Sequence, residues 1–161
     1  MNSEGQKKPA RIAVFISGSG SNLQALIDAA KMGLLSGRIA LVVSSSSKAY
    51  GLTRAENEGI ETFIFRLKKY PSPEVAAEDL LAGLKERQID YIALAGYLKL
   101  LPSEVVRAYH NRIVNIHPAL LPKYGGKGMY GHHVHEAVLA AGDKESGASV
   151  HLVDEIYDHG Q

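Results

Sequence analysis

The sequence predicts an α/β fold, a mostly parallel sheet with helices on both faces in a single domain. Three observations carry that expectation. Short β-branched runs alternate with amphipathic helical stretches along the chain, and the first run ends in a glycine–serine turn that opens a helix. The length of 161 residues, 45% of them hydrophobic, suits one domain with its own core. Alternation of this kind places parallel strands between helices, and such sheets bind ligands beyond the carboxyl ends of their strands. Functional motifs are therefore expected in the loops that follow strands.

The elements follow in order. Residues 11–16 (RIAVFI) form a β-branched run suited to a buried parallel strand, ending at Ser17-Gly18-Ser19-Gly20. In the helix that follows, Leu23, Leu26, Ile27, Ala30 and Leu34 share one face, with Gly33 and Gly37 bracketing its end. Ser21 and Gln24, three residues apart, make a capping-box signature at its start. A strand over 39–43 leads into a serine run at 44–47, a helix near 50–57 and a strand at 61–65. A helix near 73–87, a strand at 89–95, a short helix after Pro102 and a strand at 112–116 complete a Rossmann-like pattern. Residues 1–10 are polar and read as a flexible lead-in, leaving 11–161 as the domain.

Composition removes several classes of function. With no cysteine, the chain has no disulfide framework, thiol nucleophile or thiolate metal site, and a reduced, cytoplasmic setting is expected. The lead-in lacks an apolar stretch of signal-peptide length. The most apolar window, residues 91–101, is interrupted by Lys99 and falls far short of the ~20 residues of a membrane helix. A formal net charge of +1 does not suit a nucleic-acid binder that works by counterion release. Small-molecule partners are expected.

The loop Ser17-Gly18-Ser19-Gly20-Ser21-Asn22 joins the first strand to the first helix, where backbone N–H groups and the helix dipole favour an anion. A dinucleotide fingerprint is disfavoured, because Leu23 stands at its third glycine and the second strand ends in serines. No Gly-Lys-Ser/Thr follows, which removes a Walker loop. A glycine turn with a capped helix and no ligand stays open. In Asn115-Ile116-His117-Pro118, strand alternation places Asn115 and His117 on one face, at a strand end that Pro118 terminates. A carboxamide beside an imidazole can stabilise an oxyanion and move a proton, the needs of acyl transfer. A core histidine beside a turn asparagine is the plainer alternative.

Four segments together carry a resemblance: residues 115–124 (NIHPALLPKY), 17–24 (SGSGSNLQ), 95–99 (AGYLK) and 149–155 (SVHLVDE). The chain resembles the phosphoribosylglycinamide formyltransferases, a branch of the folate-dependent formyltransferase family, over nearly all of 11–160. The N-x-H-P-x-L-L-P string is also found in methionyl-tRNA formyltransferases and formyltetrahydrofolate hydrolases; S-G-x-G-S-N-L points to the ribonucleotide branch. The resemblance implies formyl transfer from 10-formyltetrahydrofolate, as co-substrate, to the amine of 5-phosphoribosyl-glycinamide (glycinamide ribonucleotide) in de novo purine biosynthesis. It implies that Gly20, Ser21 and Asn22 bind the substrate phosphate, with Gly18 and Ser19 shaping the loop. It makes Asn115, His117 and Asp158 catalytic, and Leu98, Lys99, Leu100 and Leu101, with Asn115, the folate-binding residues. Partners would be these two small molecules, with no nucleic acid and no membrane, in a monomer or homodimer.

The sequence departs from the family pattern in three places. Ser19 replaces a common Asn, residues 125–131 (GGKGMYG) lengthen a loop that could form a lid, and Ser72-Pro73-Glu74 lacks an arginine often found there. All seven histidines lie at or after His110. His132, His133 and His135 flank an apolar stripe at helical spacing and read as part of an amphipathic helix, so no metal is expected. His151 reads as a structural strand residue, and Lys68, Lys69 and Lys127 as solvated, any of them able to meet the glutamate tail of a folate. Family members continue past Asp158 into a further strand and a closing helix, so the domain is expected to be incomplete at its carboxyl end. Two rival readings remain: a formyltransferase acting on aminoacylated tRNA, and a non-catalytic module that binds a phosphate ligand.

Overall fold

The computed structural model describes residues 8–117 and 149–152. Six strands form one sheet: β1 (Arg11–Ile16), β2 (Arg38–Ser44), β3 (Glu61–Ile64), β4 (Tyr91–Ala95), β5 (Ile113–His117) and β6 (Ser149–Leu152). Their order across the sheet is β3-β2-β1-β4-β5-β6; all neighbours pair in parallel except β5 with β6, which run antiparallel. The connecting helices are α1 (Ser21–Lys31), α2 (Tyr50–Asn57), α3 (Pro73–Glu86) and α4 (Ser103–Ala108). The expected mostly parallel sheet is present.

Strand alternation divides the core into two layers. Ile12, Val14 and Ile16 of β1 meet Leu23, Leu26 and Ile27 of α1 and Leu52 and Ala55 of α2 on one face. Ala13 and Phe15 meet Ala76, Leu80 and Leu84 of α3 and Val105 and Val106 of α4 on the other. Both faces of β1 are therefore covered, which is why the run is apolar from Ile12 to Ile16 rather than alternating. Each fully buried Leu, Ile or Phe in these layers is worth about 1.5–3 kcal/mol relative to exposure. This double burial fixes where the carboxyl ends of the strands emerge.

Several boundaries differ from expectation for identifiable reasons. The helix α1 ends at Lys31, and Gly33 with φ 73° turns the chain, with the Leu34 N–H donating to the Ala29 carbonyl (2.9 Å). Leu34 is consequently 47% exposed, and Leu35 is buried in its place. The strand expected from residue 89 begins at Tyr91. Ile89 still belongs to the turn that closes α3, its N–H donating to the Leu84 carbonyl (3.0 Å) after Gln88 at φ 55°. Asp90 then accepts from the Arg11 N–H through its carboxylate (2.8 Å), tying the start of β1 to the start of β4.

Candidate active site

The chain leaves β1 toward β2 on one side of the sheet, while β4 lies against β1 on the other. That reversal opens a crevice beyond the carboxyl ends of β1 and β4, the place where open α/β sheets take ligands. Three sequence-predicted groups come to this edge: residues 17–22 after β1, residues 98–101 after β4, and Asn115 and His117 on β5 beside β4. Among the described residues, the edge carries every candidate site residue; Asp158 lies outside them, as do the 125–131 loop and the histidines at 132–135.

The capping box does not form. Gly20, at φ 75°, is the N-cap of α1, and no side chain caps the helix. Ser21 thus becomes the first helical residue, and the Gln24 amide turns instead to the Asp28 carboxylate (2.9 Å). The first helical bond runs from the Gln24 N–H to the Gly20 carbonyl (2.8 Å). The N–H groups of Ser21, Asn22 and Leu23 precede that bond, at the positive end of the helix dipole. A formed capping box would have spent part of this donor set on a side chain. Its absence leaves the helix end suited to an anion such as phosphate.

The loop is also braced by α2, which sequence reasoning did not connect to the site. The Gly51 N–H donates to the Gly18 carbonyl (3.0 Å), and Arg54 Nε donates to the Ser19 carbonyl (2.7 Å). A Cβ on Gly20 would stand 2.7 Å from the Gly51 Cα, and one on Gly51 would stand 2.3 Å from Ile16 Cδ1. Two glycines thus let the loop and the helix touch backbone to backbone. A glycine inside a helical stretch was the available signal for Gly51, since a missing side chain there permits close approach of another backbone. Gly18 is different: a Cβ there meets nothing within 4 Å.

Ser17 links three loops. Its Oγ lies 2.6 Å from Ser45 Oγ, in the loop after β2, and accepts a hydrogen bond from the Leu98 N–H (2.8 Å), in the loop after β4. The serine run supports this junction, since buried Ser44 Oγ donates to the Ser46 carbonyl (2.6 Å) and bends the chain at Ser45. In the loop after β4, Tyr97 stands edge-on to Phe15 with ring centroids 5.3 Å apart, and Leu101 packs on the same core layer. Burial pushes the Tyr97 phenol up to about 12, so it stays neutral at physiological pH. Leu98 and Leu100 point the other way, 82% and 67% exposed. Exposed leucines on an anchored backbone suit an apolar ring system as ligand.

Asn115 pairs in register with Leu94 of β4 and with His151 of β6, and His117 with Ser149. Asn115 is half-buried and His117 is the last residue of β5. Pro73, where the expected arginine is absent, begins α3 behind an N-cap, with Ser72 Oγ accepting from the Val75 N–H (3.2 Å). Among the described residues, no group of three or more His, Cys, Asp or Glu is arranged to hold a metal ion. None of their helices is long and apolar enough to cross a membrane.

The formyl transferase family model matches residues 10–161. The chain belongs to the formyl transferase family. A chloroplastic phosphoribosylglycinamide formyltransferase of Vigna unguiculata is 44% identical over 151 residues, covering 94% of this chain and 48% of the relative. The phosphoribosylglycinamide formyltransferase of Haemophilus influenzae is 41% identical, covering 93% of this chain and 68% of the relative. The crystal structure of glycinamide ribonucleotide transformylase 1 from Geobacillus kaustophilus superposes with a TM-score of 0.74 at 46% identity, covering 94% of this chain and 78% of that one. The chain spans about half the length of the plant relative. The carboxyl edge of this formyl transferase sheet brings together a glycine–serine loop, an exposed leucine-bearing loop and an Asn-x-His strand end.

Proposed function

We propose that the chain transfers a formyl group from 10-formyltetrahydrofolate to the amine of 5-phosphoribosyl-glycinamide, a step of de novo purine biosynthesis, in the cytoplasm. The observation that carries this reading is the uncapped amino end of α1 beside Gly20, on a formyl transferase sheet. It favours a phosphorylated acceptor over other amines. In this reading Gly20, Ser21 and Asn22 hold the ribose phosphate, and residues 98–101 hold the folate ring system.

The chemistry follows from the strand end. The neutral amine attacks the formyl carbon, and the carbonyl electron pair moves to oxygen. Asn115 and protonated His117 stabilise that oxyanion. Asp158 favours the imidazolium and passes the amine proton through water to the departing folate nitrogen, so the C–N bond to folate breaks with protons in balance. No covalent enzyme intermediate forms.

The test incubates the full-length protein with 10-formyltetrahydrofolate alone, with glycinamide ribonucleotide, or with aminoacylated tRNA, following deformylated folate. Release dependent on the ribonucleotide supports the reading. Release with folate alone, or only with tRNA, overturns it. His117→Ala and Asp158→Asn are each expected to lower turnover by about 100-fold or more with the thermal midpoint unchanged. Near-normal turnover in either variant removes that residue from the mechanism.

A further inference from the structure

The anion loop presents its carbonyls to α2. Gly18 and Ser19 give theirs to the Gly51 N–H (3.0 Å) and to Arg54 Nε (2.7 Å). A trans peptide plane carries its N–H opposite its carbonyl. Holding those two carbonyls against α2 therefore turns the N–H groups of Ser19 and Gly20 away from it, toward the side of the loop that faces a ligand. Arg54 has a second leg, with Nη1 donating to Gln24 Oε1 on α1 (3.2 Å). Its guanidinium lies over the Tyr50 ring, 4.9 Å from the centroid. Three contacts fix the plane of the guanidinium, and Gly51 lies three residues earlier on the same face of α2.

We propose that Arg54 is a positioning residue for phosphate recognition: by gripping the Ser19 carbonyl and Gln24 together, it aims the Gly20 N–H at the anion. The proposal rests on the phosphate reading of the loop and adds a residue outside it. Among the described residues, no carboxylate forms an ion pair with Arg54, so its charge also favours an anion at the loop. The fork geometry is what a lysine cannot supply, because an ammonium on a flexible stem does not hold two acceptors in one plane.

The experiment compares Arg54→Gln and Arg54→Lys with the wild type in the full-length protein. It measures KM for each substrate, kcat, competition by inorganic phosphate, and the thermal midpoint. Arg54→Gln is expected to raise the KM for glycinamide ribonucleotide about tenfold, the loss of one charge-assisted hydrogen bond, and to weaken phosphate competition in parallel. The KM for 10-formyltetrahydrofolate and kcat should stay within about twofold. Arg54→Lys should recover only part of the loss. An unchanged ribonucleotide KM in Arg54→Gln, or an equal loss against both substrates, overturns the positioning role while leaving the phosphate reading intact. If the wild type itself shows neither saturation by ribonucleotide nor competition by phosphate, the phosphate reading fails and the role of Arg54 fails with it.

Discussion

Two loops meet at the carboxyl edge of this sheet, and they are built on opposite principles. The loop after β1 is held from behind by a neighbouring helix, with buried Gly20 against Gly51 and two carbonyls spoken for. The loop after β4 is pinned at Tyr97 and Leu101 but leaves Leu98 and Leu100 in solvent. A phosphate is recognised by directed N–H groups, which work only if the backbone is already in place. A planar heterocycle is recognised by apolar area and a few backbone groups, which tolerate adjustment. Under the proposed function, rigidity is concentrated where the ligand demands direction.

That contrast is open to attack. Gly20→Ala should have the largest effect, because a left-handed alanine costs about 1–2 kcal/mol and its Cβ meets the Gly51 backbone at 2.7 Å. A drop of about 2–4 kcal/mol in stability, seen in chemical denaturation, is expected together with loss of ribonucleotide binding. Wild-type stability would mean that the loop is as adjustable as its neighbour.

Leu98→Ser tests the other side. Stability should change by less than about 0.5 kcal/mol, while the KM for formyl folate rises several-fold and that for ribonucleotide does not. Gly18→Ala separates fold from recognition within the first loop, since a methyl there has free space. Equilibrium unfolding should be unaltered, and a several-fold weaker phosphate competition is expected because the added methyl stands in the way of the anion. Unaltered competition would move the anion away from Gly18.

The smallest effect concerns pH. The Tyr97 phenol is raised from 10.0 to about 12 by burial, so its folded form holds its proton more tightly than the unfolded chain. The resulting stability is complete below pH 10 and is lost as pH rises toward 12. Tyr97→Phe should flatten the fall in thermal midpoint over that window, and an identical alkaline profile would show that the ring is not held as described.

Much of this was legible in the sequence, and the failures are instructive. The run RIAVFI before a glycine turn gave the central strand, since burial on both faces leaves an unbroken apolar pattern. The alternation in 112–116 placed Asn115 at the sheet edge. The capping box misled because Ser-x-x-Gln is a local pattern, whereas the helix start was decided by Gly20 pressed against a residue 31 positions later. Leu34 fell on the predicted apolar face but lay beyond a left-handed glycine that ends the periodicity. Arg54 as a site component, and the bridging role of Ser17 within its loop, were not legible, because their partners lie 35 and 81 residues away in sequence. Contacts at that range depend on strand order, which periodicity does not specify.

The Ser17 hydroxyl sets a distance as well as a contact. It bridges loops that leave β2, β1 and β4, three successive strands of the sheet. Adjacent strands are about 4.8 Å apart. The sheet therefore serves as a ruler: the gap between the loop after β1 and the loop after β4 is measured in strand spacings, with a single oxygen marking the origin. Loops on either side can vary in sequence, and the scale stays the same.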